Sequence, residues 1–535
     1  MSENGKPDTV GCTIDGVEIR VPTGTRILDA AARTGIDIPH YCYHPGLSAP
    51  AQCRMCLVEV EGVPKLAPAC VATVADGNVI HTQSDTALKA REGVLEFYLV
   101  NHPLDCPVCD QSGECKLQDY VAAEGPPSGR SLEPKRVLGV ADFGGDVKFY
   151  ADRCVMCTRC VRFMREVARD ERLAVVQRGH RNVIDTFFDH GVEGNVWADN
   201  IVDICPVGAL VSKDFLHKAR AWDLDRIPSV CPNCSQGCNV RLETRDNQIM
   251  RLKPRPNAEV NAYWMCDYGR LNYQWINRGD RIEAPLVRDA EGRLAPVAWS
   301  EALTRLADAL RDRDDGATAV VSPFSPNEDL GAVRRLLDAL GGGEGVFRSE
   351  RGEEVELPGW PTLKLRADRA ANGTGAGILG FTRVGDDAGA GGLEGAARHR
   401  GVLLVVGDEL ADADDTFGRD ASLFVYLGHF LGGAARNAHF VLPATTFAEM
   451  DGSFVNVQRR VQRFWPALRA PGMARPAWQI LGVLLAGISD ERAPATAADA
   501  FALLGQLSGD FAGLSFADLG ALGAPLPEPA ALPAE

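Results

Sequence analysis

The chain has 535 residues, 16 cysteines and a formal net charge of −16 at pH 7. This length predicts about three or four domains with cores of their own. The acidic balance argues against a nucleic-acid partner, because phosphate binding needs a basic surface. The polar start MSENGKPDTV lacks the apolar segment of a signal peptide, and no apolar run is long enough to span a bilayer. We therefore expect a cytosolic protein, in which clustered cysteines bind metal rather than form disulfides.

Residues 1–83 predict a small β-grasp ferredoxin domain. The stretch TVGCTIDGVEIRV alternates apolar and polar residues around Asp15-Gly16, which is a two-residue hairpin signal. TRILDAAARTG predicts a short amphipathic helix that ends at Gly35, and LVEVEG predicts a further strand. This region contains the first cysteine group: Cys42, Cys53, Cys56 and Cys70. A plant-type ferredoxin holds [2Fe–2S] in such a loop, although four thiolates satisfy zinc equally well.

Residues 84–222 carry two further groups among short helices and strands. The segment 84–101 predicts a helix that leads into the second group, which is Cys106, Cys109 and Cys115. The third group is Cys154, Cys157 and Cys160 in CVMCTRC, with Cys205 in DICPVGAL. Three cysteines at C-x2-C-x2-C with a remote Cys-Pro are typical of a [4Fe–4S] site, whereas zinc sites usually use two separated C-x2-C pairs.

The fourth group lies within residues 223–285 and consists of Cys231, Cys234, Cys238 and Cys266. It is complete within itself, and a zinc ribbon is the alternative to a cubane. The second group is then one ligand short. Only Cys12 remains, and it alternates with apolar residues on one strand face, which predicts a buried core residue.

His102 is the predicted fourth ligand of the second group. It lies four residues before Cys106, and imidazole is an accepted cluster ligand. One alternative stays open at this point. Bacterial two-cluster ferredoxins exchange their fourth ligand, so Cys205 could serve the second group and His102 the third.

The pattern changes after Cys266 to that of a cysteine-free α/β domain, residues 286–535. PVAWSEALTRLADALRD predicts a helix with Ser300 as its N-cap. ATAVVSP and RGVLLVVGDE predict buried strands, and DDAGAGGLEGAARHRG a glycine-rich connection. The Ala/Pro-rich tail predicts one short helix at 496–507. GTGAGILG contains a GxGxxG string, Gly375 to Gly380, but it follows no strand, so we interpret it as a loop.

The cysteine motifs together resemble those of a known family. H-x3-C-x2-C-x5-C, beside a ferredoxin-type group and a C-x2-C-x2-C group, resembles the large iron–sulfur subunit of bacterial NADH:quinone oxidoreductase (respiratory complex I). The motifs cover residues 1–270. The resemblance implies that His102 completes the second group and Cys205 the third. The fourth group is similar to an extra cubane found only in some bacterial members, off the main electron path.

The second half resembles the molybdopterin oxidoreductase domain that this subunit carries without its cofactor. The matching stretches are RIEAPLVRDAEGRLAPVAWSEAL and HFVLPATTFAEMDGSFVNVQRRVQRF. The resemblance implies an α+β multidomain protein: a [2Fe–2S] ferredoxin domain (1–83), cubane-binding ferredoxin-like domains (84–222 and 223–285) and a shortened molybdopterin-oxidoreductase-like domain (286–535). It implies one [2Fe–2S] cluster, three [4Fe–4S] clusters and no molybdopterin.

The resemblance also implies a function in electron transfer. The chain would relay electrons from NADH, through a flavin on a partner subunit, towards quinone. The implied partners are the flavin and NADH-binding subunit, a small [2Fe–2S] subunit and the quinone-side subunits. The implied location is peripheral, on the cytoplasmic side of the bacterial inner membrane.

The alternative is the iron–sulfur subunit of an NAD-linked formate dehydrogenase or hydrogenase. In molybdenum enzymes a lysine generally follows the last cluster cysteine and a cysteine or selenocysteine binds the metal. Here Cys266 is followed by DYGR, and no cysteine occurs after it. The same lack excludes the catalytic cluster of an iron-only hydrogenase.

Overall fold

The structure, a computed structural model, describes residues 8–311, 313, 315–385, 393–407, 410 and 413–527. It divides into two compact units, Met1–Leu224 with Pro358–Trp360, and Asp225–Leu357 with Pro361–Glu535. The first seven residues, the glycine-rich connection at 386–392, the end of RGVLLVVGDE and residues 528–535 of the tail lie outside the described residues. Among the described residues, no helix has the length and apolar character needed to cross a membrane.

The first unit begins with a five-stranded sheet and one helix. The elements are β1 (Thr9–Ile14), β2 (Val17–Pro22), α1 (Ile27–Arg33), β3 (Leu57–Val60), β4 (Ala67–Pro68) and β5 (Asn78–His81). The strand order is β2-β1-β5-β3-β4, with β1 and β5 parallel. The predicted hairpin is confirmed: Asp15 and Gly16 have φ of 45° and 83°, the left-handed pair that a two-residue turn requires. Cys12 is 5% exposed and packs in the core of this sheet, as predicted.

The rest of the first unit consists of short elements that carry long loops. They are α2 (Asp85–Asn101), α3 (Lys116–Glu124), β6 (Val140–Asp142), β7 (Val147–Tyr150), α4 (Arg159–Arg162), β8 (Leu173–Val176), β9 (Val183–Thr186), α5 (Asn200–Asp203) and β10 (Leu210–Ser212). Helix α2 begins where the Ser84 hydroxyl accepts a hydrogen bond from the backbone of Ala87, and it ends at Asn101, with His102 as its C-cap. Strands β10, β7 and β6 form one sheet, and β8 pairs with β9.

The second unit begins with an antiparallel sheet of three strands and a short helix. These are β11 (Asp225–Val230), β12 (Asn239–Arg245), β13 (Gln248–Pro254) and α6 (Asp267–Leu271). The fourth cysteine group lies in the loops of this part: three of its members lie between β11 and β12, and Cys266 caps α6.

The main body of the second unit is an eight-stranded sheet with helices. The elements are β14 (Leu286–Arg288), β15 (Leu294–Pro296), α7 (Trp299–Arg311), β16 (Ala317–Val321), α8 (Asn327–Ala339), β17 (Gly343–Phe347), β18 (Val355–Glu356), β19 (Lys364–Leu365), α9 (Gly373–Ile378), β20 (Thr382–Arg383), α10 (Glu394–Ala397), β21 (Val402–Val406), β22 (Leu423–Gly428), β23 (Phe440–Pro443), β24 (Gly452–Val455), β25 (Arg460–Phe464), α11 (Ala477–Ile488), α12 (Ala497–Ala502), α13 (Leu504–Leu507) and β26 (Ala524–Pro525). The order is β15-β14-β23-β22-β21-β16-β17-β20, parallel from β23 to β20. The predicted α/β pattern is confirmed.

Two local predictions in the second unit are wrong. Ser300 lies inside α7 and does not cap it. The helix begins at Trp299, two residues before the start that a Ser300 cap would give, because Trp299 is buried and its indole donates to the Met473 carbonyl at 2.9 Å. GTGAGILG contains the helix α9 rather than a loop. A Cβ at Gly375 would lie 2.3 Å from Oδ1 of Asn327, so close packing against α8 overrides the low helix propensity of glycine.

Candidate iron–sulfur sites

The structure brings the four cysteines of the first group together: three lie in the loop between α1 and β3, and Cys70 follows β4. Each is at most 4% exposed. Hydrogen bonds between thiols join Cys42 to Cys53 and Cys70, and Cys56 to Cys70. These bonds lower the pKa of Cys42 and of Cys56 and raise the pKa of Cys53 and Cys70. Four thiols that are linked by hydrogen bonds share their protons in this way, and a bound metal takes the place of the protons.

The four cysteines of the third group line one cavity. Met156 and Thr158, between the cysteines of CVMCTRC, have φ of 49° and 60°, and these left-handed residues wind the loop tightly. Burial raises the pKa of Cys205 to about 12, and the charge of Cys157 acts in the same direction. The structure therefore places Cys205 with the third group, which favours one of the two alternatives that spacing leaves open.

The second group lies between α2 and α3. Cys106 begins a short 3-10 helix, Cys106–Val108, and Cys115 immediately precedes α3. Burial raises the pKa of Cys115 to about 11, with further contributions from the charges of Cys109 and Cys106. Cys106 is partly exposed, whereas Cys109 and Cys115 are buried. The three thiols thus face one another near the surface of the first unit.

His102 has the chemistry that the missing ligand requires. Burial lowers its pKa to about 4, and the charges of Arg153 and Lys135 lower it further. Its ring hydrogen-bonds to the backbone of Arg153, and among the described residues Nδ1 is buried without a hydrogen-bond partner. A metal-binding histidine is neutral, with one nitrogen held by a carbonyl and the other open to the metal. The unpartnered Nδ1 fits that arrangement.

Backbone hydrogen bonds hold the loops of the fourth group in the second unit. The Cys231 amide donates to the Cys238 carbonyl at 2.8 Å, and the Gly269 amide donates to the sulfur of Cys266 at 3.3 Å. Burial raises the pKa of Cys231 to about 12 and that of Cys266 well above its usual value. The charges of Cys231 and Cys234 also raise the pKa of Cys266, so these thiols are neighbours.

Two glycines leave room for sulfur beside these sites. A Cβ at Gly269 would lie 2.9 Å from the Cys231 sulfur, and a Cβ at Gly208 would lie 2.1 Å from the Cys109 sulfur. Glycine is the residue that permits such a close backbone approach to a ligand. The residues therefore fit thiolate-bound iron–sulfur clusters. Among the described residues, no three His, Cys, Asp or Glu side chains are placed to hold a single metal ion.

Within the first unit, the third group contacts both of the others. The Gln52 side chain donates to the Met156 carbonyl at 2.9 Å, which joins the first group's loop to the third. The Lys116 amide donates to the Pro206 carbonyl at 3.1 Å, which joins the second group's loop to the third. Burial and the charges of cysteines from the first and third groups raise the pKa of Tyr98. The loops of the third group thus contact those of both other groups directly.

Five family descriptions match the chain in consecutive segments. Residues 7–85 match a 2Fe-2S iron-sulfur cluster binding domain, and residues 91–129 match the NADH-ubiquinone oxidoreductase-G iron-sulfur binding region. Residues 144–211 match the ferredoxin-like domain of NADH-quinone oxidoreductase subunit 3. Residues 224–278 match the molybdopterin oxidoreductase Fe4S4 domain, and residues 281–356 and 360–486 match molybdopterin oxidoreductase. Domains for both cluster types are therefore present, in the predicted order.

Curated relatives are similar over about three fifths of the chain. The chain is 41% identical over 335 residues to NADH dehydrogenase [ubiquinone] iron-sulfur protein 1, mitochondrial, of Solanum tuberosum, a match over 62% of this chain and 45% of that protein. It is 39% identical over 329 residues to the NADH-quinone oxidoreductase subunit designated G of Rickettsia conorii, over 61% and 49%. The matches thus span about half the length of these relatives. A crystal structure of NAD+-reducing [NiFe]-hydrogenase in the H2-reduced state matches 39% of this chain and 90% of that chain, with 27% identity and a TM-score of 0.36.

Proposed function

We propose that this chain, which resembles the large iron–sulfur subunit of NADH-quinone oxidoreductase, is an iron–sulfur subunit of respiratory complex I. It relays electrons from NADH, by way of a flavin on a partner subunit, towards quinone. The observation that carries the proposal is the direct contact of the third group's loops with those of the first and second groups in the first unit. Adjacent groups of this kind suit passage of electrons through the protein better than they suit a structural zinc.

The proposed inventory is one [2Fe–2S] and three [4Fe–4S] clusters. The proposed ligand sets are Cys42, Cys53, Cys56 and Cys70 for [2Fe–2S]; His102, Cys106, Cys109 and Cys115 for the first cubane; Cys154, Cys157, Cys160 and Cys205 for the second; and Cys231, Cys234, Cys238 and Cys266 for the third. Each bound cluster supplies a site that accepts and donates one electron, which no side chain of this chain offers.

The chain's own residues determine how easily each site takes an electron. Imidazole is neutral where a thiolate is negative, so His102 leaves its site less negative than a four-thiolate site. A less negative site is easier to reduce, as the replacement of two thiolates by histidine in Rieske centres illustrates. Burial of the thiols excludes water, and backbone amides such as Met156 N, 3.3 Å from the Cys154 sulfur, offset thiolate charge.

The second unit is proposed to act as a scaffold without molybdopterin. A doubly wound sheet binds phosphate at the carboxyl ends of its strands, on the first turn of a helix. Here α8 follows β16, and its first turn carries the buried acids Glu328 and Asp329. Glu328 accepts a hydrogen bond from the Ser453 amide, and Asp329 accepts one from the Trp478 amide. The first turn of α8 therefore makes contacts within the protein rather than with a phosphate. No cysteine follows Cys266 to bind molybdenum.

The remaining parts of the proposal follow from the resemblance. The domain division is 1–83, 84–222, 223–285 and 286–535. The partners are the flavin and NADH-binding subunit, a small [2Fe–2S] subunit and quinone-side subunits. The chain lies at the cytoplasmic side of the bacterial inner membrane, bound to it through the complex.

Metal analysis and EPR of the anaerobically purified chain test the proposal. We expect about 14 iron per chain, with signals of both cluster types after reduction by dithionite. Stoichiometric zinc with little iron would overturn the proposal. Molybdenum or tungsten near one per chain in the native complex would overturn the scaffold assignment and favour a formate dehydrogenase.

Two variants test the histidine ligand separately. His102→Ala should lose or weaken one cubane, since the vacant iron position is filled poorly by water. His102→Cys should retain the cubane with a lower potential, because a fourth thiolate adds negative charge. Cys205→Ala is the matched comparison and should perturb the other cubane. An unchanged iron count and EPR spectrum in His102→Ala would make His102 a structural residue.

A further inference from the structure

Arg162 joins the first and third cysteine groups inside the first unit. It is the last residue of α4 and is 4% exposed. A single guanidinium nitrogen, Nη2, donates to the Cys42 carbonyl at 2.5 Å and to the Cys157 carbonyl at 3.3 Å. These two cysteines belong to different groups. Arg162 therefore binds the backbone of one proposed ligand from each.

The rest of the Arg162 side chain fixes it in this place. Nη1 donates to the Ser48 carbonyl, and Nε donates to the Thr158 hydroxyl at 3.3 Å. Glu166 accepts hydrogen bonds from the amide and hydroxyl of Ser48, at 2.9 and 2.6 Å. The negative charges that act on Arg162 are those of Cys157, Cys42 and Glu166. The guanidinium is thus held by carbonyls of both loops and faces their thiols.

Arg153 holds the corresponding place between the second and third groups. It immediately precedes Cys154 and is 5% exposed. Its Nε donates to Asp105 at 3.0 Å, and its Nη1 donates to the Gly208 carbonyl at 3.4 Å. Asp105 adjoins Cys106 of the second group, and Gly208 lies three residues after Cys205 of the third.

Arg153 also acts directly on the second group. The His102 ring hydrogen-bonds to its backbone, and its positive charge opposes the effect of burial on the pKa of Cys109. The guanidinium lies 4.0 Å from the centre of the Tyr150 ring, which fixes the plane of the side chain. One residue therefore contacts the surroundings of both cubane sites.

A buried guanidinium needs compensating negative charge, because removing it from water is costly. Iron–sulfur sites built from thiolates are negative, and reduction adds one more negative charge. A fixed positive charge in a low-dielectric interior stabilises the reduced form and raises the reduction potential. The effect acts on each site that the charge faces, so a charge at a junction acts on two sites.

We propose that Arg162 and Arg153 are positioning residues that each place a fixed positive charge at one junction of the third cysteine group. At the first junction Arg159 adds a second guanidinium, which donates to the carbonyls of Tyr43 and Ile204. The third site shares Arg162 with the first site and Arg153 with the second. This rests on the proposed function, because it requires clusters at the three sites. Asp105 partly neutralises Arg153, so Arg162 has the larger effect on potential.

Redox titration of the full chain, followed by EPR, tests the proposal. Arg162→Gln should lower the potentials of the first-group and third-group sites. We expect at least a tenfold change in each reduction equilibrium, which is about 59 mV for one electron. Arg153→Gln should lower those of the second-group and third-group sites by less. Arg162→Lys keeps the charge and should retain most of the wild-type potential.

Arg172→Gln is the matched control within the first unit. Arg172 pairs with Asp170 at 2.6 Å and donates to the carbonyls of Gly191 and Glu193 at 3.0 and 2.8 Å. The substitution removes a guanidinium that bridges loops but faces no cysteine group. The reduction potentials of all sites in Arg172→Gln should equal those of the wild type. The reduction potential of the fourth-group site should be unchanged in every variant.

The outcomes separate charge from packing. Wild-type potentials in an iron-loaded Arg162→Gln chain would overturn the proposal. If Arg162→Gln loses iron, the Arg162→Lys variant distinguishes charge from packing. Full iron with near wild-type potentials in Arg162→Lys supports the proposal. Loss of iron in Arg162→Lys as well shows that Arg162 has a packing role and overturns the proposal. Absence of iron from the wild-type chain would instead defeat the proposed function.

Discussion

Gly208→Ala places a methyl group against the sulfur of Cys109. The new Cβ would lie 2.1 Å from that sulfur and 3.1 Å from the Cβ of Gln111. Relief to an ordinary contact of about 3.5 Å needs a movement of about 1.4 Å. The backbone has little freedom to supply it, because Gly208 accepts from Arg153 and the Ala209 carbonyl accepts from the Tyr150 amide at 2.7 Å. The thiol must therefore move.

We expect this movement to cost one cubane. Overpacking of a filled interior typically costs about 1–3 kcal/mol, and a displaced Cys109 no longer reaches its iron. Metal analysis of Gly208→Ala should therefore show about four iron fewer per chain, with the second-group EPR signal lost and the other signals retained. The melting temperature should fall.

Gly93→Ala is the control for this substitution. Gly93 lies within α2, and a Cβ there would meet nothing within 4 Å. Alanine in a helix interior is favoured over glycine by about 1 kcal/mol, so this variant should be at least as stable as the wild type and hold full iron. Full iron and unaltered spectra in Gly208→Ala would show that Cys109 is not held against the loop after Cys205, and the arrangement of the two groups would be wrong.

Three further outcomes are expected. Gly269→Ala should selectively reduce iron at the fourth group, because its Cβ would lie 2.9 Å from the Cys231 sulfur; full iron would show that this glycine is not needed for ligand approach. Cys12→Ala should leave the iron count unchanged, because Cys12 packs in the apolar core of the first sheet; a loss of iron would make Cys12 a ligand. Burial raises the pKa of Glu328 to about 8, against about 4.3 in an unfolded chain. The folded chain then binds more protons between these values, so stability falls as pH rises through that window. In Glu328→Gln the melting temperature should fall less steeply as pH rises. An unchanged dependence of melting temperature on pH would contradict the raised pKa of Glu328.

The sequence predicts those features that depend on neighbouring residues. The Asp15-Gly16 turn requires two left-handed residues in succession, and that requirement is local. Ser84 caps α2 through a hydrogen bond three residues along the chain. Most ligands of the third group likewise lie within one loop, whose spacing suits one face of a cluster. The local sequence predicts these features correctly because tertiary contacts do not favour a different local structure there.

The wrong predictions arise where distant contacts decide the local structure. Ser300 is a suitable N-cap by residue type. The helix nevertheless begins at Trp299, whose indole donates a hydrogen bond to the carbonyl of Met473, 174 residues along the chain. The glycines of α9 are poor helix formers, yet they allow the helix to pack beside Asn327. Packing outweighs propensity in both cases.

The junction arginines show the same limit at the site itself. Arg162 is two residues from Cys160, but its partners Ser48 and Cys42 are 114 and 120 residues away. In the sequence it is one of several arginines near CVMCTRC and carries no pattern of its own. Ligand identity is encoded in short spacing because a cluster is held by a few tight loops. The charge between two clusters depends on how those loops pack together, so only the folded chain reveals which arginines supply it.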